Sequence, residues 1–369
     1  MENNPGNHKK IKNAEELLQT QYGKDLDAGM LKEISHHFSI SITKEMSELI
    51  TSPDDPVGMQ FIPQKEELNT YKEEMEDHNG DLVTSPVKGI VHRYPNRVLL
   101  KPVHICPVYC RFCFRREMIG PGSEFLDKAD LEQAIDYIRK HEEIWEVIIT
   151  GGDPLILAPS KLEPIIAMIC DISHVKVLRL HTRIPIVDPA RVNDELIRVL
   201  KMKKPTYIVI HSNHVQEITD AGRAAIDKLA DNGIPLLSHS VLLRGINDTK
   251  EALTDLFQAL VELRVKPYYL FHGDLVKGTR HFRQTIEKGQ QLMAALRGDI
   301  SGLCQPTFVM DIAGGLGKSP IGPNYVEKTD GGYHIRDYNG EQHFYNEHLP
   351  DLEGQVVLAT GEESNESDF

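Results

Sequence analysis

Three cysteines lie close enough in the sequence to bind one metal centre. Cys106, Cys110 and Cys113 are spaced by four and three positions, so one short loop can bring their thiolates together. Thiolates are the soft ligands that iron–sulfur clusters use. Because no fourth cysteine is nearby, one iron of a [4Fe-4S] cluster would lack a protein ligand and could bind a small molecule with amino and carboxylate groups. The spacing therefore predicts a cluster with one open coordination position.

Two other interpretations of the triplet compete with this one. A structural zinc site normally has four ligands, and His104, only two residues before Cys106, would have to supply the fourth. The three cysteines could also be unrelated buried residues. That is the role we expect for Cys170 and Cys304, since cysteine packs as a small apolar side chain.

The bulk composition favours an enzyme that acts on small molecules. The chain has 369 residues, of which 40% are hydrophobic, and its 55 acidic and 41 basic residues give a net charge of -14. This charge disfavours binding to nucleic acid or to an anionic membrane surface. No apolar run approaches the roughly 20 residues that span a bilayer, and residues 1–12 lack the apolar segment of a secretory signal. We therefore expect a cytoplasmic location, where the cysteines stay reduced.

Short apolar runs alternate with helical patterns in the middle of the chain. Strands are predicted at 147–149, 175–180, 207–210, 236–243 and 267–271, and helices at 127–141, 161–171, 194–202, 220–231 and 250–263. This alternation predicts parallel βαβ units and an α/β fold. At least five such units favour a full or partial (β/α) barrel, in which chemistry collects at the carboxyl ends of the strands. A doubly wound open sheet is the competing fold.

Three regions follow from these patterns. Residues 1–85 combine a helical segment with a linker rich in proline and acidic residues. Residues 86–320 form the barrel, and residues 321–369 form a short, hairpin-rich arm with an acidic tail. The tail, residues 351–369, has six acidic and no basic residues, a composition that favours disorder.

Several motifs follow one another along the chain, in the segments 92–100, 106–116, 150–155, 241–248, 273–275, 279–283 and 308–318. Together they resemble the lysine 2,3-aminomutase family of radical S-adenosylmethionine (SAM) enzymes, and the resemblance covers roughly residues 61–320. It implies a partial (β/α) barrel of the radical SAM type, with an N-terminal helical segment and a short C-terminal arm. It also implies that the cluster held by the three cysteines binds SAM.

The resemblance assigns four residues to SAM. The loop of Gly151, Gly152 and Asp153 follows an apolar strand, and its glycines permit close approach to a ligand and leave backbone amides and carbonyls unobstructed. In the family this loop grips the amino group of SAM. His211, at the end of another strand, matches a position that contacts the same cofactor. Taken alone, the glycine pair would indicate a turn, and the histidine a solvent-exposed strand end.

A second group of residues is assigned to pyridoxal 5'-phosphate. Lys318 lies in the glycine-rich run 314–318, where its amine can project from an uncrowded loop as a Schiff-base partner. Arg93, Tyr94 and Arg97 match the cofactor-binding segment of the family, and guanidinium groups suit a phosphate. Without the resemblance, these residues would be ordinary solvated side chains of a basic loop.

The substrate prediction depends on charge. Arg115 matches the residue that clamps the substrate carboxylate, while Asp274 and Asp311 match the pair that receives the side-chain ammonium of free lysine. Two converging carboxylates repel each other unless a cation arrives. We therefore predict an aminomutase that converts free L-lysine to L-β-lysine. An arginine or ornithine mutase, a mutase acting on a lysine of elongation factor P, and a non-catalytic iron–sulfur sensor are the alternatives; relatives that act on glutamate or on elongation factor P are not expected to keep both acids.

The chain also departs from the family pattern. No cysteine follows Cys304, whereas the family arm usually carries a zinc-binding cysteine cluster, so zinc is not expected and the homo-oligomeric state is in question. Ala313 and Leu316 interrupt the glycine run, and His239 stands where glutamine is expected. The remaining partner implied by the resemblance is an electron donor such as a flavodoxin or ferredoxin, which reduces the cluster.

Overall fold

The computed structural model describes residues 9–119 and 125–346. Contacts divide the chain into two compact units, Met1–Pro323 and Asn324–Phe369. The acidic tail predicted at 351–369 lies outside the described residues. Within the described residues, no helix is long and apolar enough to cross a membrane.

A nine-stranded sheet forms the centre of the first unit. Its spatial order follows the sequence from β1 to β9. Pairing is parallel from β2 to β8 and antiparallel for the first and last strands. The strands are β1 Ile90–Tyr94, β2 Arg97–Val103, β3 Glu146–Gly151, β4 Val177–Thr182, β5 Thr206–His211, β6 Leu236–Val241, β7 Val265–Phe271, β8 Thr307–Ile312 and β9 Gly317–Pro320.

This strand order decides between the two predicted folds. A doubly wound sheet reverses its strand order at a switch point, whereas here every parallel strand lies beside its sequence neighbour, as in a barrel. The predicted α/β fold with a partial (β/α) barrel is therefore confirmed.

Helices cover the outside of the sheet because each has one apolar face. In the helix Asp220–Asp231, for example, Thr219 caps the amide of Gly222, and Ala225, Ile226 and Leu229 are buried. The helices of this layer are α5 Lys128–Lys140, α6 Pro159–Cys170, α7 Ile184–Val187, α8 Asp194–Leu200, α9 Asp220–Asp231, α10 Lys250–Glu262 and α11 Ile286–Leu296. Cys170 and Cys304 are buried in the core, as predicted.

Four short helices precede the sheet: α1 Ala14–Leu18, α2 Ala28–His37, α3 Lys44–Leu49 and α4 Gly58–Phe61. Leu17, Met46 and Phe61 belong to the same hydrophobic core as the apolar side chains of the barrel strands. The predicted N-terminal helical segment is thus present and packs as part of the first unit.

The second unit contains a small antiparallel sheet of β10 Val326–Thr329, β11 Gly332–Arg336 and β12 Gln342–Tyr345. Two tight turns join the strands, at Asp330 and Gly331 and around Asn339 and Gly340. The hairpins predicted for the arm are confirmed.

Candidate active site

One cavity of about 480 Å³ lies inside the barrel. Its wall is built from side chains of the strands and of the loops that follow them. All the site residues predicted from the sequence line it: Arg93, Tyr94, Arg97, Cys106, Cys110, Cys113, Arg115, Gly151, Gly152, Asp153, His211, Asp274, Asp311 and Lys318. Tertiary structure therefore brings together residues that span 226 positions of the sequence, from Arg93 to Lys318.

The cysteine loop follows β2 and is fixed by the N-terminal segment. The backbone amide of Arg111 donates to the carbonyl of Gln60 at 2.8 Å, and that of Tyr109 donates to Ser41 at the same distance. The fully buried carboxylate of Glu67 accepts from Arg111 Nε at 2.9 Å and also from Arg116. Burial alone would raise the pKa of Glu67, but the two guanidinium groups hold it below its usual range.

The three thiols open onto the cavity. Burial raises the pKa of each, that of Cys113 to about 11, so binding of a metal centre must displace their protons. Cys110 Sγ accepts a hydrogen bond from Arg183 Nη1 at 2.8 Å. His104 lines a separate pocket and does not join the cysteines in a four-ligand zinc site.

The glycine pair at the carboxyl end of β3 packs against the start of the cysteine loop. A Cβ atom on Gly152 would lie 2.2 Å from the carbonyl oxygen of Ile105, and Gly151 has φ +118°, so both positions require glycine. The amide of Gly152 donates to Val103 O at 2.6 Å, and that of Asp153 donates to Ile105 O at 3.0 Å. The expectation of an unobstructed amide was therefore wrong for Gly152, because Val103 accepts its hydrogen bond.

Asp153 fixes the end of the next strand. Its carboxylate accepts from Thr182 Oγ1 at 2.7 Å, from the amide of Arg183 at 2.6 Å and from the amide of Leu155 at 3.0 Å. Burial raises its pKa to about 6 despite these bonds. The side chain lines the cavity, yet its oxygens hold the protein backbone in place.

Three histidines form one wall, at or next to the carboxyl ends of β4, β5 and β6. His181 Nδ1 lies 3.2 Å from His211 Nε2, and the ring of His239 stacks between His211 and Phe271 with centroid distances of 4.2 and 4.1 Å. Burial lowers the pKa of all three, that of His211 to about 3, so the wall is polar and uncharged near neutral pH. Sequence reasoning missed His181, which lies one residue beyond the predicted end of its strand.

Lys318 and the β1–β2 hairpin are in contact. The backbone amide of Lys318 donates to the hydroxyl of Tyr94 at 2.8 Å, and the guanidinium of Arg97 lies 3.8 Å from the centre of the Tyr94 ring. The Lys318 amine donates to Asp311 Oδ1 at 2.9 Å. The structure thus places the predicted Schiff-base lysine beside two of the residues predicted to bind the phosphate.

Asp81 is a buried carboxylate that binds three cationic side chains beside the cavity, and the sequence analysis did not identify it. Asp81, which is 1% exposed, accepts from Arg115 Nε at 2.8 Å, Lys101 Nζ at 3.2 Å and Arg93 Nη2 at 3.3 Å. Burial alone would raise the pKa of Asp81, but these cations hold it far below its usual range. Asp81 lies in the acidic stretch interpreted as a linker, and no motif in that stretch singled it out.

The two predicted substrate acids face the same space. The pKa of Asp274 is raised to about 8, mainly by burial and to a smaller extent by repulsion from the Asp311 carboxylate. His78 Nε2 lies 3.4 Å from Asp274 Oδ1 and 3.1 Å from the carbonyl oxygen of Asp311. The cavity is therefore lined both by an acidic pair and by guanidinium groups.

The chain is similar to one family model and to several known proteins. Residues 100–257 match the radical SAM superfamily. An L-lysine 2,3-aminomutase of Clostridium subterminale is 43% identical over 74% of this chain and 66% of its own length. Another, of Methanococcus maripaludis, is 42% identical over 78% of this chain and 67% of its own length. The chain belongs to the lysine 2,3-aminomutase family.

This family contains more than one named activity. A glutamate 2,3-aminomutase of Clostridioides difficile is 40% identical over 80% of this chain and 68% of its own length. The chain spans about two thirds of the length of these three relatives. Identity at this level therefore gives the family, while the substrate has to be argued from the cavity.

Membership in the radical SAM superfamily implies a [4Fe-4S] cluster and SAM. The site fits both. Three cysteine thiols open onto one cavity, and a guanidinium group already donates to the sulfur of Cys110, as suits a thiolate ligand of a cluster. The predicted family is confirmed, and the superfamily match implies the predicted cluster and SAM.

Proposed function

We propose that this chain moves the α-amino group of free L-lysine to its β carbon, giving L-β-lysine, and that pyridoxal phosphate is a further cofactor. The observation that carries the proposal is the acidic pair of Asp274 and Asp311 in the same cavity as Arg115. Free lysine has a carboxylate at one end and an ammonium group at the other. The charges of the cavity complement both ends.

The acidic pair favours a cationic tail. Because the pKa of Asp274 is raised to about 8, full ionisation of this carboxyl group near neutral pH needs a further positive charge nearby. The amine of Lys318 already lies 2.9 Å from Asp311, which supports the fit of a primary ammonium group. The anionic tail of glutamate would instead be repelled.

Arg115 is oriented for the other end of the substrate. A guanidinium group has five N–H donors, and the bond from Nε to Asp81 uses one of them. The two terminal nitrogens can therefore bind a carboxylate in the bidentate geometry that arginine favours. Asp81 acts here as the residue that positions Arg115.

When bound, the cluster and SAM supply a radical that abstracts hydrogen from the substrate, and pyridoxal phosphate supplies a conjugated ring that delocalises an unpaired electron. Lys318 would hold pyridoxal phosphate through its amine, with Arg93, Tyr94 and Arg97 near the phosphate. The Lys318 amine, which must be neutral to bond a carbonyl carbon, is positioned by its hydrogen bond to Asp311 Oδ1. The stacked rings of His239 and Phe271 give the cavity a partly apolar wall.

A mixed-substrate assay tests the proposed reaction. The anaerobically reconstituted protein is incubated with SAM, a reductant and equal amounts of lysine, arginine, ornithine and glutamate, and products are identified by mass spectrometry. We expect β-lysine as the main product. Rearrangement of another amino acid without β-lysine would reject the substrate, and a parallel reaction with intact elongation factor P tests the protein-bound alternative.

A separate measurement tests pyridoxal phosphate. Reduction with borohydride should fix the cofactor covalently to Lys318, as seen by peptide mass spectrometry, and Lys318→Ala should abolish the labelling. Labelling of other lysines at the same level in both proteins would exclude this role for Lys318.

We also propose the cellular setting. The five cysteines are free, which is consistent with a reducing cytoplasm. A one-electron donor such as a flavodoxin or ferredoxin would reduce the cluster. Replacing dithionite by a purified flavodoxin with its reductase tests this pairing, since turnover should persist.

A further inference from the structure

We propose that Arg183 tunes the reduction potential of the cluster through its hydrogen bond to Cys110, and that Glu217 opposes this effect. The Nη1 atom of Arg183 lies 2.8 Å from Cys110 Sγ. The proposal concerns the cluster alone and does not depend on the proposed substrate or on pyridoxal phosphate.

Two hydrogen-bond partners and two aromatic rings hold the guanidinium group of Arg183 in place. Its Nη2 atom donates to Glu217 Oε2 at 2.5 Å and to Gln60 Oε1 at 2.6 Å. The guanidinium carbon also lies 4.8 Å from the centre of the Phe61 ring and 5.6 Å from that of Phe112. With only 6% of the residue exposed, the positive charge is fixed beside the sulfur and poorly screened by solvent.

Glu217 is fixed just as firmly on the other side of Arg183. It is fully buried, and its Oε1 atom accepts from the amides of Asn213 at 2.9 Å and His214 at 2.8 Å and from Gln60 Nε2 at 2.9 Å. The negative charge therefore cannot move away from Arg183. It reduces the positive field that Arg183 exerts at the cysteine sulfur.

The direction of the effect follows from charge. One-electron reduction by a low-potential donor adds one negative charge to the cluster and transfers no atoms. A fixed cation that donates to a ligand sulfur stabilises the reduced form more than the oxidised form, and cluster potentials respond to both hydrogen bonds and net charge. Arg183 should therefore raise the potential, and Glu217 should lower it.

A redox titration of the anaerobically reconstituted full chain without SAM tests the proposal, with the reduced cluster monitored by electron paramagnetic resonance. Arg183→Gln should lower the equilibrium constant for one-electron reduction at least tenfold, a shift of about 59 mV. Glu217→Gln should shift the midpoint in the opposite direction. Arg183→Lys keeps the positive charge, so its midpoint potential should lie between those of the wild type and Arg183→Gln.

Arg198→Gln is the matched control, because it removes the same charge from an exposed ion pair with Glu163. Its midpoint should equal that of the wild type, since solvent and salt screen surface charge. Iron and sulfide contents are measured for every variant. If Arg183→Gln does not take up the cluster, Glu217→Gln decides alone, and a raised midpoint supports the proposal. The proposal is overturned if the midpoint potential of Arg183→Gln is unchanged, or if Arg183→Gln and Glu217→Gln shift it in the same direction. If only Glu217→Gln takes up the cluster, an unchanged or lowered midpoint potential in that variant overturns the proposal.

Discussion

At the scale of single residues, the cations of the cavity depend on one carboxylate. Asp81 contacts Arg115, Lys101 and Arg93, and these side chains come from two different strands and the cysteine loop. A buried cation that loses its partner is costly, by about 3–5 kcal/mol. Asp81 therefore determines where the positive side of the cavity lies.

Replacing Asp81 by Asn should weaken substrate binding more than it slows chemistry. Without the carboxylate, Arg115 loses its orientation, so we expect the KM for lysine to rise about tenfold, which corresponds to about 1.4 kcal/mol, with a smaller change in kcat. Steady-state kinetics measure both. Asp136→Asn, in an exposed ion pair with Arg139, should leave KM unchanged, and an unaltered KM in Asp81→Asn would contradict this role.

Asp274 should release a proton when lysine binds. Its pKa of about 8 in the ligand-free protein means that it is mostly protonated at pH 7. An ammonium group beside it favours the ionised form and lowers that pKa, so a proton leaves on binding, and affinity should rise between pH 6 and pH 8. Calorimetry in buffers of different ionisation enthalpy measures the proton count. Equal proton release by wild type and Asp274→Asn would assign the proton to another group.

At the scale of elements, the loop after β3 and the cysteine loop are one packed structure. Backbone hydrogen bonds join them: the amide of Gly152 donates to Val103, the last residue of β2, and the amide of Asp153 donates to Ile105, just before Cys106. The positions of the three cysteines therefore depend on the absence of a side chain at Gly152 in a neighbouring loop.

Gly152→Ala should displace the cysteine loop. Its Cβ would lie 2.2 Å from Ile105 O, and overpacking of this kind costs about 1–3 kcal/mol. We expect lower iron and sulfide content after reconstitution and a lower free energy of unfolding. Gly302→Ala, where nothing lies within 4 Å of the new Cβ, is the control and should bind the cluster normally. Full cluster content in Gly152→Ala would show that the loop can adjust.

At the scale of the whole molecule, the N-terminal segment is part of the active-site support. Gln60 and Glu67 lie before the first strand, yet they bond to the cysteine loop. Glu67 in particular neutralises two fully buried arginines, Arg111 and Arg116.

Glu67→Gln should destabilise the fold strongly. It leaves two buried guanidinium groups without a counter-charge, so we expect a loss of about 3–5 kcal/mol in the free energy of unfolding, measured by denaturant titration of the apoprotein at pH 7. Because the folded pKa of Glu67 is lowered, its contribution is present above the ordinary glutamate pKa and is lost as pH falls. Glu163→Gln, in an exposed pair, should cost less than about 1 kcal/mol. A similar decrease in the free energy of unfolding in Glu67→Gln and Glu163→Gln would show that Glu67 stabilises the fold no more than an exposed ion-pair residue does.

The sequence by itself determined those features that depend on neighbours along the chain. The spacing of Cys106, Cys110 and Cys113 gave the cluster loop, and the alternation of apolar runs with helical patterns gave five of the parallel strands. It did not give β2 or β8, whose patterns were not recognised, although both border the cavity. Motif order gave the family, because the resemblance extends over most of the barrel.

Only the tertiary structure decided which groups support the site. Asp81, Glu67, Gln60 and His181 had no local signal, since the site partners described above lie between 12 and 157 positions away. The same holds for charge: a carboxylate such as Asp274 has an ordinary pKa in an unfolded chain, and only burial beside Asp311 raises it. Contacts and solvent exclusion arise when the chain folds, so local patterns of residues do not contain them.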